Sequence, residues 1–124
     1  MVGGQSRGSH VLLDYRNYSS TEENDGRWML RLIRECVRES GIREVHSHVE
    51  IFDGGLSPPG FAAVVLIDES HVTAHCYSEI GLLAIDVFTC GDHDPDGVAE
   101  LIHERLISED ASIVLDKRQR VDRF

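Results

Sequence analysis

Residues 61 to 90 hold three apolar, strand-forming runs with almost nothing between them: FAAVVLI (61–67), HVTAHCY (71–77) and LLAIDVFTC (82–90). Only Asp68, Glu69 and Ser70 separate the first two, and only SEIG (78–81) the next two. A parallel crossover needs a dozen residues or more, so runs this close pair as antiparallel hairpins. The stretch before them, DGGLSPPG (53–60), carries three glycines and two prolines and reads as a loop, because neither residue type sustains a ladder.

The remaining elements fit around this meander. HVLLDYRN (10–17) reads as a first strand, and MVGGQSRGSH before and into it as a loose lead-in. SSTEEND (19–25) is turn chemistry, with Ser20 and Glu23 spaced as a capping box. A helix follows over 26–40, because Met29, Leu32, Ile33, Cys36 and Val37 recur at three- and four-residue spacing. Gly41 is placed to close it. IREVHSHVEIF (42–52) alternates as a second strand, with His46, His48 and Glu50 on one face. Asp94-Pro95 opens a second helix striped by Val98, Leu101, Ile102 and Leu106. SIVLD (112–116) is a last strand, and the basic KRQRVDRF reads as a loose tail.

The predicted order is β-α-β-β-β-β-α-β in one domain spanning 1–124. That is an α+β, two-layer sandwich: a mostly antiparallel sheet with two helices on one face. The uncovered face then needs a partner, and a homodimer is expected.

Charge narrows the partners. Asp and Glu number 22 against 12 Lys and Arg, a net charge of −10, so the basic face that nucleic acid requires is lacking. No apolar run approaches the roughly 20 residues of a membrane helix, and the opening residues lack a signal-peptide core. A cytoplasmic protein acting on a small cationic substrate is expected. Three cysteines with no CxxC spacing argue against a disulfide framework and against a zinc knuckle. Cys36 and Cys76 read as packing residues. His46 and His48 offer two ligands, short of a metal set, and Asp94 beside His93 reads as a helix cap, so no metal is expected. His10 and His103 carry no sharper signal.

DESHVTAHCYSE (68–79) asks for a different explanation, because it crowds a hydroxyl, imidazoles, a thiol and carboxylates into one hairpin. Ser70 follows a tight connection between two stiff strands, where backbone strain can be stored. A serine hydroxyl there lies close to the preceding carbonyl. Attack on it would turn the amide into an ester, and β-elimination followed by hydrolysis would leave a pyruvoyl group. Histidine is the usual base for such transfers near neutral pH.

The segment DESHVTAHCYSEIGLLAIDVFTCGD resembles the processing and active-site region of the prokaryotic S-adenosylmethionine decarboxylases. The likeness rests on Glu69-Ser70-His71, on His75 and Glu79, on Gly81, and on Asp86 with Phe88-Thr89-Cys90-Gly91. GSHVLLD (8–14) is similar to the opening strand of that family. The resemblance implies a proenzyme cut between Glu69 and Ser70, giving a β chain of 1–69 and an α chain of 70–124. It implies a covalent pyruvoyl cofactor made from Ser70, His75 as the base that resolves the ester, and Cys90 as the proton donor. Glu69 stays beside the site as the new C-terminus. The pyruvoyl carbonyl would take the substrate amine as an imine and accept the electrons freed as carbon dioxide leaves, in the service of polyamine synthesis.

The chain also departs from the family. It reads Cys76-Tyr77-Ser78 where Trp-Pro is usual, has Ala62 or Ala63 in place of a processing serine, and lacks an evident adenine-holding aromatic in its 53–60 loop. Phe61, Tyr77 or Phe52 are the candidate replacements, and Asp53 and Glu79 are candidate partners for a distal positive charge. Two alternatives stay open: an ornithine or arginine decarboxylase on the same scaffold, and an unprocessed, non-catalytic homologue that binds a partner.

Overall fold

The structure is a computed structural model that describes residues 7–124. Its elements are β1 (Gly8–Arg16), α1 (Asp25–Glu39), β2 (Glu44–Phe52), β3 (Gly60–Ile67), β4 (Ser70–Tyr77), β5 (Leu82–Cys90), α2 (Pro95–Glu109) and β6 (Val114–Arg123). The six strands form one antiparallel sheet in the order β2-β3-β4-β5-β1-β6. The central meander is there as the short connections require. α1 packs on β2 and β3, α2 on β1 and β5, and the helices touch each other. The expected two-layer sandwich follows.

Alternation decides what each strand gives to the core. Val11, Leu13 and Tyr15 of β1 are buried, as are Phe61, Ala63, Val65 and Ile67 of β3. Val72, Ala74 and Cys76 of β4 and Leu83, Ile85 and Val87 of β5 complete the helix-covered face. The α1 stripe Met29, Leu32, Ile33, Cys36 and Val37 lies against it, so Cys36 and Cys76 are packing residues. Burial pushes both thiols up to about 11. On α2, Val98, Ala99, Ile102 and Leu106 are buried while Leu101 sits at the margin.

Three local expectations need correction. The N-cap of α1 is Asn24, whose side chain accepts from Arg27 N, while Ser20 caps only a short turn through Glu22 N. The last strand is β6, and it absorbs the basic tail expected to be loose. Hydrogen bonds from the β1 edge hold it. Arg118 and Arg120 reach from it to α2, where Arg118 Nη2 donates to Asp96 at 2.9 Å and Nη1 to Glu100 at 2.9 Å, and Arg120 pairs with Asp96 as well. Strand pairing is non-local, so the charge run gave no sign of it. Finally, Gly8 and Ser9 lie in β1 rather than in a lead-in, and residues 1–6 of that stretch fall outside the described residues.

Gly60 is required where β3 begins, since a Cβ there would land on the Cys76 carbonyl oxygen. No described helix is long and apolar enough to cross a membrane.

Candidate active site

The Ile67↔Ser70 pair closes β3 and β4 into a hairpin with only Asp68 and Glu69 between. Two-residue hairpins want positive φ at the turn, and Asp68 takes it at 51°. A non-glycine residue holds that conformation at a cost of order 1 kcal/mol, eased for Asp by its short polar side chain, so modest strain sits one residue before the Glu69–Ser70 bond. Asp68 is fixed at both ends: its N–H donates to the Arg43 carbonyl at 3.1 Å, and its carboxylate accepts from Arg43 Nε at 2.8 Å.

Ser70 is buried on the helix-covered side, with 4% exposure. Its Oγ accepts a hydrogen bond from the Cys90 backbone N–H at 3.0 Å. The β4–β5 pairing therefore joins the residue expected to become the cofactor to the residue expected to give the proton. Cys90 is half-buried and opens with Glu69, Gly91, Asp92, Arg7 and Phe124 onto a cavity of about 850 Å³. That is the size of a site for a small organic molecule. Gly8, paired with Cys90 across β1–β5, keeps the neighbourhood clear, because a Cβ on it would come within 2.9 Å of the Phe88 ring.

The next residue row crosses the uncovered face. His10, Phe88 and His71 stand side by side on β1, β5 and β4, with ring centroids 5.1 to 5.6 Å apart. Burial and the neighbouring His10 lower the His71 pKa from its ordinary 6.5, which favours the neutral ring. His10 Nε2 is buried without a hydrogen-bond partner.

The other expected site residues lie elsewhere. His75 is exposed on the uncovered face, opposite Ala62 and Ala84. It is five residues from Ser70 on the same strand, about 16 Å at 3.3 Å per residue, and faces the other way. Tyr77, 49% exposed, and Glu79 lie further along at that far end. Asp53 is there too, in the loop before Gly60, accepting from Gly55 N at 2.9 Å. Phe61 is corrected: at 1% exposure it is a core residue, edge-on to Tyr18, and not a surface aromatic. Of the two alanines, Ala62 is the one that faces His75, while Ala63 is buried beneath the helices. Leu56 stands fully exposed in the loop.

Several neighbours of Ser70 carried no signal in the sequence. Arg43, Asp68, Glu69, Ser70 and His93 line one cavity of about 380 Å³. His71 was legible only as the residue after Ser70, and Arg43 and Phe124 only through the fold.

Known proteins resemble this chain in sequence and in fold. The sequence model of the family described as S-adenosylmethionine decarboxylase matches residues 9–119. An S-adenosylmethionine decarboxylase proenzyme of Clostridium tetani is 33% identical over 114 residues, covering 90% of this chain and 86% of the relative. One from Bacillus velezensis is 34% identical over 104 residues, covering 82% and 78%. The crystal structure of the adenosylmethionine decarboxylase from Aquifex aeolicus superposes with a TM-score of 0.72 at 26% identity, over 96% of this chain and 92% of that one. The family match spans nearly the whole chain and the relatives cover most of it, so this chain belongs to the S-adenosylmethionine decarboxylase family.

Proposed function

We propose that the protein is a self-processing, pyruvoyl-dependent decarboxylase of S-adenosylmethionine in polyamine synthesis, cut between Glu69 and Ser70 into chains of 1–69 and 70–124. The observation that carries this is the 3.0 Å hydrogen bond from Cys90 N to Ser70 Oγ, which ties the cofactor precursor to the proton donor. The residues fit the group. Ser70 opens β4, is buried and is held by the Cys90 backbone N–H, so a carbonyl made from it stays at a fixed point beside the Cys90 main chain. When formed, the pyruvoyl group supplies the electron sink for the departing carboxylate.

The chain does the rest. Cys90 Sγ delivers a proton to the substrate carbon that lost carbon dioxide. Glu69 and Asp92, lining the same cavity as Arg7, favour a cationic substrate, in keeping with the net charge of −10. With three free thiols, the chain suits a reducing, cytoplasmic setting.

The active form we propose is a homodimer of processed protomers. The uncovered face leaves Leu66 39%, Leu82 42%, Tyr77 49% and Val121 44% exposed, an apolar surface that a second copy would bury. A two-fold axis lying in the interface and running across the strands would set the far end of one sheet over the near end of the other. The partner's His75, Tyr77, Glu79 and Asp53 then approach Cys90 and the strand end that carries Ser70. This accounts for site residues that lie apart within one chain.

Intact mass under denaturing, reducing conditions tests the reading, with release of carbon dioxide from carboxyl-labelled S-adenosylmethionine. Two fragments split at Ser70, the larger-numbered one ending in a pyruvoyl mass, are expected. A single species at 13.9 kDa after long incubation overturns the reading.

A further inference from the structure

Processing needs a base twice: once to take the Ser70 hydroxyl proton as the ester forms, and again as the ester is eliminated. His75 lies about 16 Å along β4 from Ser70 and on the other face. The upstream position facing His75 is Ala62, which has no hydroxyl to offer. Among the described residues, His93 lines a cavity of about 380 Å³ together with Ser70 and Glu69. We infer that His93 is the base for the first step, the attack of Ser70 on the Glu69 carbonyl; this rests on the proposed self-processing.

Three features prepare His93 for that work. Its main chain is anchored, because the buried Thr89 Oγ1 donates to the His93 carbonyl at 2.8 Å. The next residue, Asp94, is fixed as the cap of α2, accepting from Asp96 N at 3.0 Å. The backbone that carries the exposed ring is thus held on a short segment between the end of β5 and α2. On the other side of the cavity, the Arg43–Asp68 pair holds the strained turn that carries the scissile bond. The Cys90 N–H bonded to Ser70 Oγ stabilises negative charge as it builds on that oxygen.

The step balances without a co-reactant. His93 takes the Oγ proton, and Oγ bonds to the Glu69 carbonyl carbon. The bond from that carbon to the Ser70 nitrogen breaks, and the imidazolium returns the proton to the nitrogen. The products are an ester between Glu69 and Ser70 Oγ and a free amine on Ser70. Elimination from this ester is left to the partner's His75, which the proposed dimer brings to this end of the sheet.

Hydroxylamine separates the two bases, because it cuts esters at neutral pH and leaves amides intact. Full-length precursors of wild type, His93→Ala, His93→Gln and His75→Ala are followed by intact mass, with and without hydroxylamine. A general base contributes about 10²- to 10⁴-fold, so His93→Ala and His93→Gln should form ester at least 100-fold more slowly and resist hydroxylamine. Free imidazole should restore cleavage to folded His93→Ala, an effect that a merely structural role would not produce. His75→Ala should instead accumulate a hydroxylamine-sensitive ester. Wild-type cleavage rates in His93→Ala, or ester build-up in it, overturn the inference and leave the proposed function standing. Failure of wild type to cut overturns both.

Discussion

Alternate residues of β4 occupy two different media. Ser70, Val72, Ala74 and Cys76 face the helices and are all buried, whereas His71, Thr73, His75 and Tyr77 face away and become more exposed toward the far end. The same division runs through β3, where Ala63 and Val65 are buried and Leu66 is 39% exposed. The covered face fixes the geometry, and the uncovered face holds the polar chemistry within an apolar surround. A strand gives its chain neighbours to opposite faces, so a residue next to the core can be a residue of the site. That is how Ser70 can be a rigid part of the sandwich while His71 lies in the row beside Cys90.

The sharpest test of the division removes one atom from the covered side. Ser70→Ala should leave the fold intact, because one buried oxygen is lost, yet abolish both cleavage and decarboxylation; intact mass and carbon dioxide release read both. Cys90→Ala should still be cut while clean protonation of product falls by about 10²-fold or more. If the uncovered faces pair as proposed, chains carrying Ser70→Ala and His75→Ala should complement each other when co-expressed. Cleavage of the His75→Ala chain would reappear, and its absence would count against the crossed site.

Packing differs between the faces in the same sense. Ile85→Ala, within the core, should cost about 2–5 kcal/mol in urea unfolding. Leu82→Ala, three residues away on the uncovered side, should cost the protomer under about 1 kcal/mol and weaken self-association, read by sedimentation. A result in which both behave alike would erase the distinction between the faces.

The smallest effects are electrostatic. His71 has its pKa lowered from 6.5 in the folded chain, so the unfolded chain binds its proton first as pH drops. Its contribution is complete above about pH 6.5 and is lost as pH falls from there through the folded value, and His71→Phe should flatten that part of the stability profile. The hydrogen bond from Arg118 holds the Asp96 carboxyl below its ordinary 3.8, so the β6–α2 tie is intact above that pH and fades below it. Asp96 is partly exposed and screened, so Asp96→Asn should cost under about 1 kcal/mol at neutral pH.

The chain alone determined the elements and the reaction class. Period-two and period-3.6 patterns are local, and so are the short connections that force antiparallel hairpins, so all six strands and both helices were legible, the last strand only in its first residues. Ser70 and Cys90 were legible as a motif. Tertiary structure decided what depends on strand order and register. It made KRQRVDRF a strand, because the free edge of β1 lies about a hundred residues earlier in the chain. It put Phe61 in the core, chose Ala62 over Ala63 as the neighbour of His75, and separated His75 from Ser70. It brought His93 and Arg43 to the Ser70 cavity from two distant loops. The physical reason is that a one-residue change of register moves a side chain to the other face of a sheet, and register is set by partners the local pattern does not name.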